Sequence, residues 1–230
     1  MGRKLNLRPI FCTMNQPIED FLARLAQASL DGPVFNQYAA DGTEANAVRR
    51  ENLRLYLEQM AVARPSLLLV GEAPGYRGCR LTGIPFTSES IILDEQIRPF
   101  GSKAGYRKTD EKATVTKEAS ATMVWAALAG AWPPPLLWNA FPFHPHQPDR
   151  PASNRRPVRH ELQLGAGFLV EIMALFPATA VVAVGCAAAT ALSLAGQGDY
   201  PILRHPSHGG KAAFQAGLAH IMANPPDPYR

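Results

Sequence analysis

The 230-residue chain has only three cysteines, Cys12, Cys79 and Cys186. They lie far apart with no C-x-x-C pair, which excludes a disulfide framework and a closed zinc site and predicts a reducing compartment, the cytoplasm. No apolar run approaches the roughly 18 residues needed to cross a bilayer, and the opening stretch MGRKLNLRPIFC lacks an apolar signal core. A soluble cytoplasmic protein with no membrane partner is therefore expected. Charge is also sparse, at 18% of residues, with 23 basic against 19 acidic side chains and a net charge of +4. So mild a cationic excess is compatible with nucleic acid without calling for it. An internal repeat is missing too, as are a GK[ST] phosphate loop and the G-x-G-x-x-G dinucleotide spacing.

What is present is apolar: hydrophobic residues make up 47% of the chain. That is enough for one substantial core, and residues 1–230 are read as a single domain. Continuous apolar runs at 67–70 (LLLV), 136–140 (LLWNA) and 180–184 (AVVAV) predict parallel strands buried on both faces, with 201–205 (PILRH) as a fourth. Helical spacing predicts a helix over 17–30, opened by Pro17 and stopped at DGP. Another is predicted over 43–63, with Leu53, Leu57 and Met60 on one face before the Arg64-Pro65 break. Further helical stretches fall near 88–98, 118–130, 158–176, 187–195 and 211–223. This alternation predicts an α/β fold, a three-layer α/β/α sandwich around a mainly parallel four-stranded sheet. Residues 101–120, 132–135 and 142–157 read as loops, and the tail from Asn224 is expected to fray.

In open parallel sheets, ligands bind beyond the carboxyl ends of the strands. Here those positions carry GEAPG, NAFPFH, GCAAAT and HPSHGG. Taken singly, each has an ordinary explanation. Pro-Gly is common turn punctuation, Phe86 suits a core, Asn139 suits a strand-end turn, and His205 suits a surface.

Taken in order, Gly71-Glu72-Ala73-Pro74-Gly75, Gly83-Ile84-Pro85-Phe86, LLWN ending at Asn139, Asn154-Arg155-Arg156-Pro157 and His205-Pro206-Ser207 resemble the uracil-DNA glycosylase superfamily. The likeness covers residues 67–222, about two thirds of the chain. It is closest to the iron-sulfur type found in many thermophilic bacteria. Thr82-Gly83-Ile84-Pro85-Phe86 also resembles the T-G-x-P-F segment of single-strand-selective uracil glycosylases, although Glu72-Ala73 replaces their Met-Asn.

The resemblance implies a DNA glycosylase that hydrolyses the N-glycosidic bond of uracil, or of a related deaminated base such as hypoxanthine or xanthine, flipped out of DNA. It implies that Phe86 stacks on the base and that Asn139 reads its edge, since a carboxamide can match uracil N3–H and O4 together. His205 would donate to O2 as negative charge develops on the leaving base. Glu72 would orient water or contact the base. Gly71 and Ala73 would line the pocket, and Tyr76 would crowd C5 of the base. Pro74, Arg155, Pro206, Ser207, His208 and Lys211 would contact DNA, the last beside a helix N-terminus suited to phosphate.

The partner implied is DNA containing uracil or another deaminated base, bound by a monomer. No metal or organic cofactor is required, and no lysine in these motifs is placed for Schiff-base chemistry.

Two departures stand out. The iron-sulfur branch needs four cysteine ligands, which three cysteines cannot supply. Ala73 also stands where other branches carry a water-orienting Asp or Asn, which keeps open a catalytically inactive relative that binds nucleic acid or a nucleobase. His144 and His146 lack a third ligand and are read as structural or DNA-facing. Lys103, Arg107, Lys108, Arg150, Arg156 and Arg159 either flank a DNA groove or are solvated loop charges.

Overall fold

The computed structural model describes residues 8–226 apart from 111, 178 and 197–199, with side chains described from residue 15 onward. The Cys12 side chain and the last four residues of the tail lie outside the described residues.

Four strands form one parallel sheet in the order β3-β2-β5-β6: β2 is Leu67–Gly71, β3 Leu136–Asn139, β5 Ala180–Val184 and β6 Ile202–Leu203. Every residue of β2, β3 and β5 is buried, which explains why the runs are apolar throughout rather than alternating. The chain steps from β2 to β3 on one side, then crosses back to place β5 on the other. This makes a switch point between β2 and β5, where a crevice opens beyond the strand ends.

Helices α1 (Arg8–Gln27) and α6 (Arg159–Leu175) clamp β3 through aromatic contacts. The ring of Phe21 lies 5.3 Å from Trp138 and 6.2 Å from Phe168. Helix α2 (Glu44–Ala63) starts at Thr43, whose Oγ1 accepts from the Asn46 amide, and it buries Leu53, Leu57 and Met60. Its Tyr56 hydroxyl accepts from the Leu137 amide at 2.8 Å, covering a donor that edge strand β3 would otherwise leave unpaired. Helices α5 (Ala119–Ala127), α7 (Cys186–Leu194) and α8 (Lys211–Ala223) complete the helical layers, so the α/β architecture expected from the sequence is found.

Local details differ from expectation. Pro17 sits inside α1 rather than opening it. The buried stripe Ile18, Phe21, Leu22 and Leu25 anchors the helix against the core, and tertiary packing outweighs the local break. The helix expected near 88–98 shrinks to α4, Glu89–Ile92, because Asp94 Oδ1 captures the Gln96 amide in a turn. A short helix, α3 (Cys79–Thr82), follows the GEAPG loop. Within the expected 142–157 loop, β4 (His144–Pro145) pairs antiparallel with β1 (Val34–Phe35).

Candidate active site

The carboxyl ends of β2 and β3 are in register, with Gly71 opposite Asn139, and the Ala140 amide donates to the Gly71 carbonyl at 2.8 Å. A Cβ placed on Gly71 would lie 2.3 Å from Phe86 Cζ and 3.2 Å from Asn139 Oδ1. Only glycine lets the ring and the carboxamide close over this strand end, so Gly71, Phe86 and Asn139 form one compact group.

Phe86 holds its ring there at a backbone cost. It has φ +55°, in the left-handed region that bulky residues avoid, and its carbonyl is anchored by Trp125 Nε1 at 3.0 Å. Thr82 and Thr87 hydroxyls, 2.7 Å apart, tie the turn beneath, and Tyr38 donates to the Gly83 carbonyl at 2.9 Å. Asn139 is 4% exposed, and its Nδ2 faces Cys79 Sγ at 3.8 Å. Burial pushes the Cys79 thiol far up, so it stays protonated.

The other side of the crevice is built by β5 and β6. A Cβ on Gly185, at the end of β5, would lie 3.6 Å from His205 Cβ, which places His205 beside the next strand end. At about 4.8 Å per strand, the ends of β3 and β6 stand roughly 14 Å apart, with β2 and β5 between them.

The Ser207 amide can only donate, and it reaches His205 Nδ1 at 3.2 Å, with Ser207 Oγ 2.6 Å from the same atom. Nδ1 is therefore an acceptor, and the neutral ring carries its proton on Nε2. Burial, with the charge of His208 second, holds this histidine below its ordinary pKa. A neutral imidazole with an Nε2–H donor results.

Glu72 follows Gly71 directly. Its carbonyl accepts from the Phe141 amide at 3.0 Å, and burial raises its carboxyl while the positive charge of Arg156 opposes that rise. Ala73 is half-buried and packs against the core, so it presents no polar group. Pro74 is buried, and its carbonyl meets His144 Nδ1 at 2.7 Å. His144 thus ties the loop down from beneath, with its other nitrogen 3.2 Å from the Pro151 carbonyl. The Tyr76 amide donates to Asn154 Oδ1 at 2.9 Å, so the Asn of the NRRP segment braces the loop.

Among the DNA-contact residues expected from the resemblance, Arg155 is turned inward. Its guanidinium bonds Glu161, the His146 carbonyl, the Pro33 carbonyl and the Arg156 carbonyl. Its donors are therefore spent on folding the segment, whereas its neighbour Arg156 is exposed and its charge reaches Glu72. Pro206 is buried, Ser207 half-buried, and His208 and Lys211 exposed, with Lys211 the first residue of α8. His208 adopts φ +52°, turning the chain sharply before the helix. Among the described residues, no group of three or more His, Cys, Asp or Glu is placed to hold a metal ion. No helix among the described residues is long and apolar enough to cross a membrane.

Two features escaped the sequence reading. Trp125 falls in the helical stretch expected near 118–130, with no sequence signal that it anchors Phe86. Glu118 lay in a charged loop segment, yet its carboxyl reaches the GEAPG loop: a Cβ on Gly75 would lie 2.0 Å from Oε1, and one on Gly78 2.0 Å from Oε2.

No curated protein matches the chain. Among solved structures, SMUG2 of Pedobacter heparinus is similar, with a TM-score of 0.58 at 12% identity over 90% of this chain and 96% of that one. At that identity the likeness speaks to the fold alone. The family model described as "Uracil DNA glycosylase superfamily" matches residues 59–221, running from the end of α2 through every strand of the parallel sheet into α8. With that match spanning the strand-end loops just described, the chain belongs to the uracil DNA glycosylase superfamily.

Proposed function

We propose that this protein is a monofunctional DNA glycosylase that hydrolyses the N-glycosidic bond of uracil or a related deaminated base flipped out of DNA. The observation that carries this reading is the packing of Phe86 and Asn139 over Gly71, a stacking face and an edge-reading carboxamide held together at one strand end. A uracil against the ring would offer N3–H to Oδ1 and O4 to Nδ2. Cytosine presents the reverse pattern and would leave both groups unpaired, at about 1 to 3 kcal/mol for each buried group.

Across the crevice, the neutral His205 ring supports a donor role toward O2. As the C1′–N1 bond breaks, its electron pair moves onto the base, and an Nε2–H there stabilises the charge without transferring a proton. Glu72 is the carboxylate nearest Ala73 in the chain, and its raised affinity for protons fits a group that orients the attacking water.

Half-buried, apolar Ala73 favours a second reading, a relative that binds a base without cutting the bond. Incubation with single and double strands containing uracil, hypoxanthine or xanthine, followed by alkaline cleavage of abasic sites, separates the two. Strand breaks with release of free base are expected. Intact strands for every substrate at high enzyme concentration would leave only the binding reading.

A further inference from the structure

Glu118 immediately precedes α5, and its half-buried carboxyl is enclosed by the Gly75–Gly78 turn. Its two oxygens occupy the positions that side chains at 75 and 78 would take. Among the described residues it makes no side-chain hydrogen bond or ion pair, and its oxygens are not fully buried, so they stay open to a ligand. The turn adjoins the group formed by Phe86 and Asn139. The same Cβ position at Gly78 lies 2.6 Å from the carbonyl of Thr87, the residue after Phe86, and Cys79, the residue after Gly78, meets Asn139.

We infer that Glu118 is a further residue of the base pocket, working as a neutral carboxylic acid that donates a hydrogen bond to an acceptor on the flipped base. The inference rests on the glycosylase reading above. The leaving base gains negative charge as the bond to C1′ breaks, and a neutral O–H stabilises that charge while keeping its proton. A carboxylate in the same place repels it.

Burial alone pushes this carboxyl up to about 7, so it changes state near neutrality. The Cys79 thiol feels the Glu118 charge but stays protonated. Arg77 lies over the Tyr76 ring and Arg80 over the Phe35 ring, while Lys117 lines a separate cleft beside Trp125. None of them pairs with the carboxyl.

The test is the pH dependence of single-turnover cleavage of a uracil-containing strand by the wild-type protein and Glu118→Gln, which keeps the shape and a donor but cannot ionise. The wild-type rate should fall about tenfold per pH unit above the carboxyl's titration, and E118Q should cleave comparably at pH 6 while losing that fall. An unchanged alkaline fall in E118Q, or an inactive but folded E118Q at every pH, overturns the inference. If the wild-type protein cuts nothing, the proposed function fails, and Glu118 is read separately through the NMR shift of its carboxyl carbon. Titration near neutrality that moves when free uracil is added supports a pocket role. Titration that uracil leaves unmoved rejects it.

Discussion

Two loops face each other across the crevice, and they are built differently. The one from Gly71 to Ser88 is tied into the protein at many points. Tyr38 holds Gly83, Asn52 holds the Thr82 carbonyl, Trp125 holds Phe86, His144 holds Pro74 and Asn154 holds Tyr76. The one from Arg204 to Gly210 is held by short-range bonds of its own, between Ser207 and His205 and between the Gly210 amide and the Ser207 carbonyl. The wall proposed to recognise the base is thus braced by five residues from other parts of the chain. The opposite wall is a local turn carrying one oriented imidazole. A wall of the first kind suits shape discrimination, and a turn of the second kind suits a partner whose backbone must be gripped and released.

The contrast can be broken from either side. The largest effect on rate should come from the loosely held loop. His205→Ala should slow uracil release about 100- to 1000-fold, the cost of one lost donor to a developing anion, while thermal unfolding changes little because few distant residues depend on it. A large drop in melting temperature would show that the turn is as deeply braced as its counterpart.

Gly71→Ala should be next, and should act on both properties. The added methyl collides with the Phe86 ring, so overpacking costs about 1 to 3 kcal/mol of stability. The displaced ring costs on the order of 100-fold in cleavage. Wild-type activity in G71A would mean that the ring moves freely and the wall is not preorganised.

The smallest effect should come from Lys211→Ala. It should weaken DNA binding by a few-fold and reduce the slope of log affinity against log salt by about 1, leaving the single-turnover rate unchanged. A salt slope identical to wild type would remove Lys211 from the DNA-facing surface.

Much of this was legible in the residues. The apolar runs of β2 and β5 announce strands buried on both faces. Thr43 marks the start of α2 to the residue, because an N-cap is a local chemical event. The strand-end motifs marked Gly71, Phe86, Asn139 and His205 as residues to watch, since a parallel sheet delivers such positions to one edge. Arg155 shows what the sequence leaves open. A guanidinium in a basic loop looks like a phosphate contact, and only the fold reveals that Glu161, the third residue of α6, and three carbonyls take up its donors. His144 carried no sequence signal for its grip on Pro74, which depends on β4 pairing with β1 across more than one hundred residues of chain.

By itself, the sequence determined the class of fold, the strands that meet in the sheet and the order of the motifs, because these follow from hydrophobic periodicity and local backbone chemistry. Only the tertiary structure decided which polar groups are spent and which are free. It turned Arg155 inward, set the proton of His205 on Nε2 and left the Glu118 carboxyl without a partner inside a turn of glycines. Those outcomes depend on burial and on contacts between distant segments, which no local pattern of residues records.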